Sequence, residues 1–251
     1  MNMRRITGRD RRGSGAKVYP SIASFYSAGI KLHFDSARGV TSSASRVSQW
    51  NDQSGNGNHL VQGTGANQPL LVATATPAGT PAIRTDDTAR QMAKLSLTTT
   101  QANARLTLFL VVKVAADAAT RLWYHGNAGG TAGTVYAPTG GNRVLNNLGS
   151  TALTDGAHDQ AKYEVLAWRL AASGGYGTAI DTNELYVNGV LQTTPTGTPN
   201  LTQGTDTLIL GQTGSSGLVD YVELAEAPDT LLSATDVVAL SKGLMRKHGI
   251  S

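Results

Sequence analysis

The clearest pattern along the chain is a two-residue alternation of apolar and polar positions. In IKLHFD (30–35), Ile30, Leu32 and Phe34 fall on one side, and Lys31, His33 and Asp35 on the other. RLTLFLVVKVAA (105–116) lines up Leu106, Leu108, Leu110, Val112 and Val114, while Phe109 and Val111 partly cover its second side, which predicts a central strand. YEVLAWRLAA (163–172), DTLILG (206–211) and LVDYVELAEA (218–227) add three strands of the same kind. ELYVNGVLQ (184–192) predicts a hairpin, because Asn188-Gly189 supplies the two positive-φ residues of a type I′ turn. At the C-terminus the period changes to that of a helix. Ser233 followed by Asp236 matches a capping box. Val237, Leu240 and Leu244, joined by Val238 and Met245, form one apolar stripe. Lys242, Arg246, Lys247 and His248 sit near the negative end of the helix, and Gly249 supplies the stop.

Composition agrees with many short strands joined by tight turns: of 251 residues, 29 are glycine, and only 15% are charged. Cysteine is absent, which removes disulfides and thiolate metal sites and fits synthesis in a reducing compartment. No apolar run is long enough for a membrane span, and the N-terminus lacks the apolar core of a secretory signal. Asn200 heads a glycosylation sequon that is expected to be inert without such a signal.

Charge divides the chain in two. Residues 1–17 carry Arg4, Arg5, Arg9, Arg11, Arg12 and Lys17 against Asp10, a net +5; of the whole chain's +4, the remainder therefore holds −1. A nearly neutral body argues against a broad nucleic-acid-binding face. The expected organisation is an N-terminal basic arm and anchor segment, 1–27, followed by one domain, 28–251. The arm has too little apolar surface to fold alone and is expected to order only on an acidic partner. Tyr19 and Phe25, with Ile22 and Tyr26, add apolar anchors beside the charges.

Three segments resemble the concanavalin A-like lectin/glucanase superfamily, in particular the laminin-G-like jelly-roll domains of phage virion and bacterial surface proteins. GVTSSASRVSQWNDQSGNGNHLVQ (39–62) is similar to that family's W-x-D-x-S-G-x-G-N signature. ELYVNGVLQ is similar to its L-Y-V-N-G hairpin, and LSATDVVALSKGLMRKHGI (232–250) to its closing helix and K-Y-G-I tail. The resemblance spans roughly residues 28–251. PAIRTDD (81–87) departs from the family's F-D-G turn. The resemblance implies an all-β, two-sheet jelly-roll sandwich with a C-terminal α-helix, preceded here by the extended basic arm.

Read from the residues alone, the first motif needs no ligand. Trp50 serves as a core anchor; Asp52, Asn56 and Asn58 are turn formers, and Gly55 and Gly57 permit positive φ. A calcium or sugar role is the competing reading, but an oxygen-only calcium site needs about 6–8 ligands and this run offers one carboxylate.

Catalysis lacks its usual residues. Glucanases of the superfamily carry an E-x-D-x-x-E strand, absent here; Glu223 and Glu226 are an odd number of residues apart and are expected to point to opposite faces. His33, His59, His125, His158 and His248 form no zinc-binding pair, and no metal or cofactor is expected. Glycine clusters at 126–133 and 139–141 read as long loops. Around them Trp123, Tyr124, His125, Tyr136, Asn142, Arg143, Asn146 and Asn147 mix stacking and hydrogen-bonding groups suited to a sugar. The competing reading makes one of the two leading aromatics a core residue at a strand end.

The phage-type resemblance and the arm together point to a non-catalytic virion structural protein for capsid decoration or attachment. It would be made in the host cytoplasm and displayed at the virion surface. Its expected partners are a capsid or tail lattice and further copies of itself. The alternative is a carbohydrate-binding adhesion module that recognises surface glycans.

Overall fold

The computed structural model describes residues 29–85, 90, 92–94, 105–114, 121–125, 135–136, 142–147, 151–157, 161–174, 181–192, 208–211 and 218–251. The arm, with its basic and aromatic anchors, lies outside them.

Strands dominate. The first seven are β1 (Leu32–Asp35), β2 (Val40–Ser43), β3 (Arg46–Trp50), β4 (Leu60–Val61), β5 (Leu70–Val72), β6 (Ala82–Thr85) and β7 (Met92–Lys94). They are followed by β8 (Arg105–Val114), β9 (Arg121–His125), β10 (Val135–Tyr136), β11 (Asn142–Asn147) and β12 (Thr151–Ala157). The last five are β13 (Glu164–Ala171), β14 (Thr182–Val187), β15 (Val190–Leu191), β16 (Leu208–Leu210) and β17 (Val219–Pro228), ahead of the single α-helix described, α1 (Ala234–His248).

Fifteen strands join one antiparallel ladder in the order β10-β9-β16-β7-β4-β3-β5-β6-β17-β8-β13-β14-β15, with β1 also on β17 and β2 on β3; β11 and β12 pair separately. β8 is central, held between β17 and β13. The glycine clusters at 126–133 and 139–141, read as long loops, lie outside the described residues, and beside them stand strands at 135–136, 142–147 and 151–157 that the sequence pattern did not reveal. Their apolar runs are too short and polar-interrupted to stand out in sequence, and their pairing is with each other and with β9.

The ladder curls, so strands far apart along it share one core. Leu106, Leu108, Leu110, Val112 and Val114 of β8 pack in one cluster with Trp50, Leu60, Met92, Trp123, Trp168 and Leu208. The three tryptophans are all but fully buried. Each removes about 150–250 Å² from water, worth about 4–6 kcal/mol at ~25 cal/mol per Å². Phe109 and Val111 point the other way, into a second cluster with Val237, Leu240 and Leu244 of α1. The stripe read from the sequence is thus the face that docks.

The ends of α1 follow local chemistry. The Ser233 hydroxyl accepts from the Asp236 N–H at 3.1 Å and donates to the Asp236 carboxylate at 2.6 Å. The acid therefore closes on the hydroxyl instead of reaching back to the backbone as a full capping box would. Gly249 takes φ 69°, and a Cβ there would lie 2.9 Å from the Ala78 nitrogen, so both backbone and space demand glycine. At the β14–β15 turn, Asn188 and Gly189 adopt φ 53° and 76°. The Asn188 side-chain oxygen accepts the Val165 N–H at 2.8 Å, tying the turn to β13.

Candidate functional site

The turn at 50–58 is built around one carboxylate. Trp50 is buried, its ring 5.5 Å from that of Phe34. Asp52 Oδ1 accepts the backbone N–H groups of His33 (3.1 Å) and Ser54 (2.9 Å), and Oδ2 accepts from the Ser54 hydroxyl (2.8 Å) and the Asn58 N–H (3.1 Å). Both oxygens are therefore occupied by the protein itself, which is what the turn-forming reading requires. Asn58 is fully buried, and Gly55 sits at φ 88°.

The Asp52 link to His33 leads into a feature that sequence reasoning missed. His33 was expected on the polar side of β1, yet His33 and Asp35 are buried along with Leu32 and Phe34. The polar side of β1 faces Glu223 of β17 and the last turn of α1. His33 Nε2 lies 2.8 Å from Glu223 Oε1, and His248 Nε2 lies 2.7 Å from Oε2. Lys247 donates to Glu223 Oε2 at 2.7 Å and to Asp35 Oδ2 at 2.9 Å. Burial pushes the Glu223 carboxyl up, but the hydrogen bonds from His248 and His33 and the charge of Lys247 outweigh it and hold the group well below the ordinary carboxylate range. Lys247 is shifted the other way, upward: burial opposes its charge, while Glu223 and Asp35 more than restore it. The only sequence signal was the cationic last turn of α1, which local reasoning assigned to the helix dipole.

A second buried acid sits two residues before the bulge of β17. Asp220 takes a two-pronged ion pair from Arg84, 2.6 Å at Nε and 2.9 Å at the terminal nitrogen. The Tyr163 hydroxyl donates to the same carboxylate at 2.9 Å. Burial, then the Asp220 charge, drive the Tyr163 hydroxyl well above its ordinary pKa, so it stays protonated and a donor.

Glu226 points away from Glu223. It is fully buried toward the main core, where Trp123 Nε1 donates to its Oε2 at 3.1 Å. A register shift between Tyr221 and Glu223 does not bring the two glutamates together. The opposite-face expectation holds, and it leaves neither carboxylate facing a substrate that the other could reach.

The same contact corrects one proposed sugar contact. Trp123 is 1% exposed and its N–H is committed, so it cannot offer a stacking face. It is the core aromatic at a strand end. Tyr124 and His125 follow it on β9, opposite Ile209 and Leu208 of β16; Tyr136 lies on β10, and Asn142 and Asn146 on β11.

No protein-family model matches the chain, and no curated protein matches it. Solved structures do. Trypanosoma rangeli sialidase in complex with sialic acid aligns over 88% of this chain and 33% of its own, with TM-score 0.58 and 13% identity. The same sialidase in complex with 2,3-difluorosialic acid, as a covalent intermediate, aligns over 86% and 33% with TM-score 0.60 and 13% identity. The receptor-binding domain of botulinum neurotoxin type G aligns over 86% and 51%, with TM-score 0.60 and 11% identity. This chain thus spans about a third to a half of the chains it matches. At such identities the likeness reaches the fold alone; these neighbours are β-sandwich folds, consistent with a lectin-like jelly roll.

Proposed function

We propose that this chain is a non-catalytic, lectin-like display protein: a two-sheet, concanavalin A-like jelly roll carried on a phage particle by its basic arm. The observation that carries the non-catalytic part is the fate of the β17 glutamates. A glycosidase of the usual two-carboxylate kind holds them about 5–5.5 Å apart, or about 6.5–9.5 Å for inversion, flanking one bond. Glu223 and Glu226 are both buried, on opposite faces, and each is engaged by internal donors. The curled ladder with a shared core supports the two-sheet reading.

The arm supports attachment to an acidic capsid or tail lattice, since six basic residues in seventeen neutralise an anionic surface without needing a fold. Several copies on one symmetric particle would make the protein homo-oligomeric in place. Deleting residues 1–17 tests this: the domain should stay folded by circular dichroism while its incorporation into particles is lost. Full occupancy by the truncated protein would overturn the anchoring role.

A glycan-binding adhesion module is the second reading. It is favoured by neighbours that include a sialidase in complex with sialic acid and a toxin receptor-binding domain. Glycan-array binding by the arm-deleted protein would establish it, with Tyr124, His125, Tyr136, Asn142 and Asn146 as the residues to substitute. An array without signal would leave display as the function.

A further inference from the structure

The chain holds two Asn-Gly pairs, Asn56-Gly57 and Asn188-Gly189. Asparagine before glycine is prone to self-modification, because glycine has no Cβ to keep its backbone nitrogen away from the neighbouring side-chain amide. The fold treats the two pairs differently. Asn188-Gly189 closes the β14–β15 hairpin, where the Asn188 N–H donates to the Val165 carbonyl at 2.8 Å and its Oδ1 accepts the Val165 N–H at 2.8 Å. Gly189 is buried against α1: a Cβ there would lie 3.5 Å from Ser241 Cβ and 3.5 Å from the Val238 carbonyl oxygen. Asn56-Gly57 is exposed and lies in no strand or helix, and a Cβ on Gly57 would meet nothing within 4 Å.

The Asn56 amide also has a structural task. Its nitrogen donates to the Lys31 carbonyl at 3.0 Å and to the Ser54 hydroxyl oxygen at 3.1 Å. The Ser54 hydroxyl itself lies 2.8 Å from the Lys31 carbonyl and 2.8 Å from Asp52 Oδ2. A hydroxyl has one proton to give, so it cannot serve both acceptors at once, and the Asn56 amide supplies the further donor. A carboxylate oxygen in place of that nitrogen would turn a donor into one more acceptor. It would also set a second negative charge against the Ser54 hydroxyl that Asp52 already uses.

We propose that Asn56 is a deamidation site in the folded protein, and that its conversion loosens the 52–58 turn. Hydroxide takes the Gly57 amide proton, and the electron pair left on that nitrogen attacks Asn56 Cγ. The bond from Cγ to Nδ2 breaks, and Nδ2 leaves as ammonia with a proton drawn from water, which returns the hydroxide. Water then opens the cyclic imide at either carbonyl, leaving aspartate or isoaspartate at position 56. Only the exposed residues between the Ser54 and Asn58 anchors need to rotate for this ring to close. At Asn188 the same rotation requires the hairpin first to come away from Val165 and α1.

The experiment incubates the full folded chain at mildly alkaline pH and follows both pairs by peptide mass spectrometry, scoring isoaspartate by enzymatic methylation. Asn56 should convert, and Asn188 should convert more slowly by about tenfold or more, the factor that about 1.4 kcal/mol of local opening gives. In denaturant the two rates should come together, because the fold no longer separates the pairs. Asn56→Gln, whose longer side chain closes a larger ring reluctantly, should end modification at position 56 and leave the rate at Asn188 unchanged. Asn56→Asp should speed hydrogen exchange at the Ser54 and Asn58 amides, both held by Asp52, while Val165 stays protected. No conversion of Asn56 in the folded chain, equal folded rates at the two pairs, or a difference that persists in denaturant would each overturn the site. Unchanged exchange in Asn56→Asp would overturn the loosening of the turn.

Discussion

The two faces of β17 are stabilised by different physics. One face sends Val219, Tyr221 and Leu224 into the main core, where the polar atoms are few and, of those on Trp50, Trp123, Tyr221 and Glu226, all but the Trp50 indole N–H are matched internally. The Tyr221 hydroxyl donates to the Leu122 carbonyl at 2.7 Å, and Glu226 receives the Trp123 N–H. The other face pairs a thinner apolar layer, Val222, Ala225 and Ala227, with the Glu223 ion network at the end of α1. The main core is therefore deep and mostly apolar, whereas the helix is fastened at its C-terminal end by charges that must stay ionised. A wide apolar core tolerates no lost volume; a narrow one can be completed by charge, at the cost of acid sensitivity.

The largest effect should come from the first face. Trp168→Ala, removing a fully buried ring opposite Leu108, should cost about 3–5 kcal/mol in denaturant unfolding. A loss below about 1 kcal/mol would mean the core repacks freely, contrary to its description here.

Glu223→Gln should come next, at about 2–4 kcal/mol, because it removes the buried carboxylate that Lys247, His33 and His248 share. Hydrogen exchange should show the loss concentrated in α1. Uniform loosening of β8 and α1 together would erase the contrast between the faces.

The same residue sets a pH dependence. Its folded pKa lies below the unfolded value of 4.5, so its contribution is fully present above that value and is lost as pH falls toward the folded pKa. Unfolding free energy measured from pH 7 down to pH 3 should fall more steeply in the wild type than in Glu223→Gln. Parallel curves would show that the network contributes no linkage.

Gly249→Ala should cost about 1–2 kcal/mol, the strain of a left-handed non-glycine residue plus a close approach to Ala78. Its thermal midpoint should drop, and α1 should fray from its C-terminal end. Ser233→Ala, at the other end of α1, should cost about 1 kcal/mol from a lost cap. Equal melting of the Ser233→Ala protein and the wild type would show that the cap is redundant with the docked stripe.

Sequence alone determined what is local. The 2-residue alternation of 105–114, the Asn188-Gly189 turn, the Ser233 and Gly249 ends of α1 and its apolar stripe each depend on neighbours within a few residues, and each is found as read apart from Asp236, which closes on the Ser233 hydroxyl. The turn at 50–58 was legible for the same reason, its Asp52 bonds being mostly short-range. The short strands at 135–136, 142–147 and 151–157 were not, because they carry too little alternation to outweigh the glycines around them. Nor was the meeting of His33, Glu223 and His248, which lie far apart in the chain, or the ring of Tyr163 under Lys113. Only the tertiary structure decided those. A charge states its need for a partner in the sequence, but which partner it receives depends on how the ladder curls and where the helix lands.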